Sequence, residues 1–192
     1  MIKTILFNPF RKIAGGKALG LGLAIIGISS IVAHYSNAHF DGVLDVHGGS
    51  SAPIYVFFLE GLLSWYIAFI FLYITGLIIS KSKIRAIDVA GTTALSRYPF
   101  FFIAFLLIGM PDIDLDIALE GNSISADLSL LVIISVLLTA CIVWYMALLF
   151  NAFSISCNIK GTRAVWSFIA AIIVAETVSK IIFYHFYQII SL

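Results

Sequence analysis

Charged side chains are scarce in this chain of 192 residues. Asp, Glu, Lys and Arg make up 11% of it, whereas hydrophobic residues make up 61%, and the mean hydropathy is +1.10. A water-soluble domain carries roughly 25% charged residues. A soluble fold of this size could not bury so much apolar surface, so the composition predicts an integral membrane protein.

Cysteines and enzyme motifs are also scarce. The two cysteines, Cys141 and Cys157, form no CxxC motif, and the chain has no HExxH motif. The glycine-rich stretch GLGLAIIG lacks the spacing of a nucleotide-binding fingerprint and follows no strand. We find no set of catalytic residues on facing helices. The sequence therefore predicts a protein without enzymatic activity, without a cofactor and without a nucleic-acid partner.

Five long apolar runs dominate what the chain does contain. A helix needs about 20 apolar residues to cross a bilayer, and no alternating pattern of a barrel strand competes with this reading. The runs lie near 18–37, 54–79, 91–110, 128–150 and 164–187. We predict an all-α bundle of five transmembrane helices forming one domain, residues 18–192.

The loops between these runs differ sharply in the sign of their charge. Three basic segments carry Lys3, Arg11, Lys12 and Lys17, then Lys81, Lys83 and Arg85, then Lys160 and Arg163. The other two loops have no Lys or Arg and carry Asp41 and Asp45, then Asp112, Asp114, Asp116, Glu120 and Asp127. Because cytoplasmic loops collect Lys and Arg, we predict a cytoplasmic N-terminus and an outside C-terminus, in the inner membrane if the source is bacterial.

Residues 1–17 precede the first run and mix basic with apolar residues. They predict an interfacial amphipathic helix, with Leu6 and Phe10 facing lipid and Arg11 and Lys12 facing the headgroups. A signal peptide is the alternative, because the small residues 36–38 follow the first apolar run. That run is long for a signal sequence, so the interfacial helix is favoured.

A few ionisable residues fall inside the predicted spans, where they are costly. At a rise of about 1.5 Å per residue, Glu60 and Lys180 lie at matching depth in the outer half, and Glu176 is one turn from Lys180. His34 could reach the same layer. We predict a polar cluster of His34, Glu60, Glu176 and Lys180, which is either a charge network that fixes helix packing or an ion relay. The structural alternative is favoured.

The third run has an arginine close to its start. Only 13 residues, Tyr98 to Met110, are free of charge, so the helix must begin near Gly91 and include Arg97. We expect the Arg97 guanidinium to reach the cytoplasmic headgroups, with phosphate binding as an alternative, and we expect a bend at Pro99.

Small residues recur every four positions in the first run. Gly16, Gly20 and Ala24 have the spacing that allows two membrane helices to pack closely. We therefore predict that this stripe lies at a helix–helix contact.

The first outside loop contains HFDGVLDVHGG. His39, Asp41, Asp45 and His47 form a mixed nitrogen and oxygen set that zinc or manganese would accept. The loop is short and rich in glycine and serine, so a solvated loop is favoured and no metal site is predicted. Asp112, Asp114 and Asp116 of the other acidic loop suggest calcium, but the other EF-hand positions are missing.

Three sequence segments resemble those of a known protein family. They are LFNPFRKI before the first span, GTTALSRYPFF at the start of the third, and WYMALLFNAFSISCNIKGTRA before the fifth. With the five spans, they resemble the Yip domain family, membrane proteins named for binding Ypt/Rab GTPases. The resemblance implies five spans, a cytosolic N-terminus and a membrane location. The DLYGP-type motif of the trafficking members is absent, so GTPase binding is not implied, and the chain is similar to compact bacterial members.

These observations lead to two hypotheses about function. The first is a non-enzymatic membrane scaffold that organises the bilayer or binds lateral partners, either copies of itself or other membrane proteins. The second is a small ion-coupled transporter or channel that uses the intramembrane cluster.

Overall fold

The computed structural model describes residues 6–108 and 124–190, with side chains 124–129 excepted. Nearly all of this is helical: a short 3-10 turn, Pro9–Arg11, precedes α1 (Gly15–Ser36), α2 (Ile54–Ile79), α3 (Ala86–Leu95), α4 (Pro99–Leu106), α5 (Ile124–Ser156) and α6 (Gly161–Ile190). The helices α3 and α4 form one span, Ala86–Leu106. The described residues thus form five helical spans long and apolar enough to cross a membrane, which confirms the predicted all-α membrane architecture.

The third span lies at the centre of the bundle. In its most apolar window 72% of the residues are buried, against 6–33% in the other four spans. It is interrupted after Leu95 and resumes at Pro99, because proline has no N–H to continue the hydrogen-bond ladder. This agrees with the bend expected at Pro99, and it shows that the span begins five residues earlier than Gly91.

Two glycines allow α1 and α3 to cross closely. A Cβ atom on Gly22 would lie 2.5 Å from the backbone carbon of Ala94, and one on Gly91 would lie 2.4 Å from the carbonyl oxygen of Gly15. Only residues without a side chain fit at such contacts. The buried face of α1 consists of Gly15, Ala18, Gly22, Ile26, Ser29, Ser30 and Ala33.

The predicted stripe of small residues is not part of this contact. Gly16, Gly20 and Ala24 are all exposed on the outside of the bundle. Nothing in the described part of the chain would come within 4 Å of a Cβ on Gly20. Within the described part of the chain, α1 turns its Gly22 face toward α3 instead. The helix–helix contact predicted for the stripe therefore stays a prediction.

The basic loops meet at one end of the bundle. Asn158, between α5 and α6, donates from Nδ2 to the Ser82 hydroxyl at 2.8 Å, and the Thr92 and Ser156 hydroxyls are 2.8 Å apart. Asn158 and Gly161 have φ angles of 50° and 65°, and this left-handed backbone makes the tight turn. The charge pattern therefore distinguishes the two ends of the bundle.

The N-terminal segment packs into the bundle instead of lying only on its surface. Phe10 is 2% exposed and belongs to one apolar cluster with Leu148 and Ala152 of α5. The Leu6 carbonyl accepts hydrogen bonds from the Tyr98 hydroxyl and from Trp144 Nε1. This corrects the expectation that Phe10 faces lipid, whereas the side chains of Leu6, Arg11 and Lys12 are exposed.

Candidate functional site

The loop after α1 folds back into the helical bundle. Its two ends pair as a minimal hairpin, β1 (Ala38–His39) with β2 (His47–Gly48), and we call residues 38–49 the plug loop. Phe40 and Val43 are 2% and 0% exposed. The expectation of a solvated loop is wrong for this segment, because apolar side chains between the charged ones anchor it; only residues 47–51 are exposed.

Glu60 of α2 is the deepest polar anchor of the plug loop. Its side chain is completely buried. It accepts hydrogen bonds from Phe40 N–H at 2.9 Å and from the Tyr187 hydroxyl at 2.7 Å, and it faces His39 Nδ1 at 2.7 Å. The Ser64 hydroxyl, one turn further along α2, donates to the Phe40 carbonyl at 2.7 Å. The carboxylate is therefore satisfied by the loop and by α6 together.

His39 has an oxygen on each side of its ring. Nε2 lies 2.9 Å from the Ser50 carbonyl oxygen, which can only accept, so Nε2 carries a hydrogen. A second proton is shared between Nδ1 and Glu60. Burial alone would lower the pKa of His39, but the Glu60 hydrogen bond, the Ser50 carbonyl and the charges of Glu60 and Asp41 together raise it. The arrangement favours a positively charged His39.

Glu176 and Lys180 of α6 hold the middle of the plug loop. Glu176 accepts the Leu44 N–H at 2.8 Å, and a Cβ on Gly42 would lie 2.6 Å from its other oxygen. The Lys180 ammonium contacts Asp41 at 3.3 Å and also contacts Asp45. Residues one turn apart on α6 thus bind the backbone and the carboxylates of the same loop.

The predicted cluster is only partly assembled. Glu60, Glu176 and Lys180 all bind the plug loop, but Lys180 pairs with loop aspartates and Glu60 with His39. Among the described residues, Lys180 forms an ion pair with neither Glu60 nor Glu176. His34 lies elsewhere, 5.4 Å from the Phe57 ring, and its Nδ1 has no hydrogen-bond partner among the described residues.

The four metal candidates of the loop also separate. Ligand atoms of Asp41, Asp45 and His47 lie within 4.8 Å of one another, whereas His39 faces Glu60. Lys180 binds both carboxylates and supplies their counter-charge. His47 Nδ1 is 3.4 Å from Asp41. This hydrogen bond is the main reason that the pKa of His47 is raised; burial would raise the pKa of Asp41, but His47 and Lys180 together lower it.

Arg97 occupies a different position from the one expected. It is 2% exposed and lies between α3 and α4, so its guanidinium does not reach the headgroups. The guanidinium carbon is 4.0 Å from the centre of the Phe100 ring and 5.9 Å from that of Tyr145. The centre of the bundle therefore holds an arginine with mainly aromatic neighbours.

Sequence reasoning missed His39 and Tyr187 as partners of Glu60. One usable signal was the even spacing of polar residues in HFDGVLDVH, which alternates with apolar residues that could enter a core. The calcium candidates Asp112, Asp114 and Asp116 lie outside the described residues. Comparison of the chain with protein-family models, curated proteins and solved structures gives no significant match.

Proposed function

We propose that this protein is a non-enzymatic membrane scaffold of the Yip type that acts through lateral association in the bilayer. Its N-terminus is on the cytoplasmic side and its C-terminus outside, as the basic end of the bundle indicates. The partners are lipids and further copies of the chain or other membrane proteins.

The observation that carries this proposal is the exposed stripe of Gly16, Gly20 and Ala24. Small residues four positions apart let another helix approach the backbone of α1 closely, which is a main source of helix association in membranes. Within residues 6–108 and 124–190, the bundle leaves this stripe exposed. A second α1 helix related by two-fold symmetry would place the same stripe against itself.

The plug-loop contacts support a structural role for the ionisable groups. Glu60, Glu176 and Lys180 each bind the plug loop and thereby fix α2 and α6 relative to it. Buried ionic groups of this kind specify which elements pack together. With this structural role, the ionisable residues do not have to form an ion relay.

The test is replacement of Gly20 by Leu, with oligomer size measured by photobleaching of single labelled chains in lipid bilayers. We expect a shift to smaller assemblies. Ala170→Leu on α6 is the matched control, since Ala170 is also exposed and small. Equal oligomer size in wild type and Gly20→Leu would reject the proposal.

A second candidate, an ion-coupled carrier, is favoured by the buried His39–Glu60 pair, which shares a proton beneath the plug loop. It predicts that Glu176→Gln changes flux in liposomes while the fold is preserved. Identical flux in the two proteins would remove this candidate.

A further inference from the structure

Two unpartnered polar residues line one narrow cavity inside the bundle. The terminal nitrogens Nη1 and Nη2 of Arg97 and the hydroxyl of Ser29 are buried, and the described residues offer them no hydrogen-bond partner. The walls of the cavity are Ile26, Ser29, Ser30, Phe40, Gly61, Arg97 and Phe100. Ser29 and Arg97 are 3% and 2% exposed.

The charge of Arg97 requires an anionic partner at this depth. An arginine side chain stays protonated in proteins, so burial cannot be relieved by loss of the proton. Buried charges are normally paired, because an unpaired charge forfeits its hydration. The Glu176 carboxylate interacts electrostatically with Arg97, but its hydrogen bond goes to the Leu44 N–H.

The Ser29 hydroxyl provides a second donor for the same partner. Its neighbour Ser30 donates to the carbonyls of Ile26 and Phe57 at 2.9 and 3.0 Å, whereas Ser29 makes no such bond. A hydroxyl and a guanidinium with free hydrogens are both donors toward an anion. Ile26, Phe40 and Phe100 make the rest of the wall apolar.

We propose that Arg97 and Ser29 form a binding site for a small inorganic anion with the chemistry of chloride. The cavity is too tight for a water molecule as it stands, so binding needs one wall to yield. Phe40 is the wall residue that a loop contributes, and it packs edge-on against Phe100 at 5.0 Å. The plug loop therefore closes the site, and the anion is held between Arg97 and Phe40.

Binding of radioactive chloride to the purified full-length chain in lipid nanodiscs tests this site. We expect saturable binding of one ion per chain, displaced by unlabelled bromide and not by gluconate. Arg97→Gln should weaken binding at least about tenfold, and Ser29→Ala about threefold to tenfold. Arg163→Gln removes an exposed arginine and should leave binding unchanged.

Three results would overturn the proposal. They are the lack of saturable chloride binding in the wild type, displacement by phosphate as effective as displacement by bromide, and wild-type affinity in Ser29→Ala. If Arg97→Gln does not fold, Ser29→Ala decides alone, because it removes one hydroxyl and leaves the charge in place. The oligomer assay of the scaffold is independent of this result.

Discussion

Nδ1 of His39 in the plug loop and Oε1 of Glu60 in α2 lie 2.7 Å apart, although the two residues are 21 positions apart in the chain. The pair joins the loop to α2, and Tyr187 joins the same carboxylate to α6. Three elements therefore depend on one buried carboxylate.

Glu60→Gln should destabilise the protein by about 3 kcal/mol. The amide retains one acceptor oxygen, but its NH2 group would face donors such as the Phe40 N–H or the Tyr187 hydroxyl, and the charge opposite His39 is lost. Thermal unfolding in detergent measures the effect. Asp88→Asn, at a partly exposed ion pair with Arg85, is the control and should cost less than about 1 kcal/mol. Equal losses in the two variants would contradict the role assigned to Glu60.

The attachment of the plug loop should weaken in alkaline solution. The pKa of folded His39 is raised above 6.5, so its contribution is complete below pH 6.5 and is lost as pH rises through the folded value. The lowered pKa of Asp41 makes stability fall in acid as well. The contribution of Asp41 is present above pH 3.8 and is lost as pH falls through the folded value.

The melting temperature measured from about pH 2 to pH 9 checks both dependences. The raised pKa of His47 contributes to the same loss of stability at alkaline pH. His39→Gln should therefore reduce this loss without abolishing it, whereas His185→Gln, which changes an exposed histidine of α6, should leave it unchanged. An alkaline loss that is unchanged in His39→Gln would show that another group titrates there.

Lys180→Gln should have a small effect on stability, no more than about 1 kcal/mol. Its side chain is 44% exposed and that of Asp45 is 36% exposed, and ion pairs at that exposure are weak because water screens them. A double-mutant cycle with Asp45→Asn measures the coupling. A coupling energy above about 2 kcal/mol would mean that the pair is far better shielded than its exposure indicates.

Gly22→Ala should destabilise the contact between α1 and α3 by about 1–3 kcal/mol, because the added carbon would overlap the backbone of Ala94. Gly20→Ala adds the same atom to the same helix where nothing is within 4 Å, so its effect should be within about 0.5 kcal/mol. Unfolding of both variants under one set of conditions gives the comparison. Similar values would argue against close packing at Gly22.

The spans and the basic end were predictable from sequence because long apolar runs and clustered lysines are local signals. The helix face of α1 was not, since both Gly16–Gly20–Ala24 and Ala18–Gly22–Ile26 have four-residue spacing and only the partner helix selects between them. Arg97 was misplaced for a related reason. Its depth depends on how far the third span extends toward Ala86. Thr92 and Thr93 in that extension are buried, so this part of the helix is surrounded by protein.

The burial of the plug loop could not be predicted, because its polar groups bond to residues of α2 and α6 that are far away in the sequence. His39 alone gives no sign of Glu60, and Leu44 gives none of Glu176. Glycine and serine at 48–51 are typical of a solvated turn, and that part of the loop is indeed exposed. The buried part is the alternating stretch before it.

The burial of the third span has a consequence for membrane insertion. This span has the lowest mean hydropathy of the five, 1.3 against 1.8–2.5, and it contains the buried residues Thr92, Thr93 and Arg97. Lipid alone solvates such a segment poorly, because its polar side chains need protein partners. During biogenesis the third span should therefore enter the bilayer alongside α1, whose Gly22 face is already shaped to receive it.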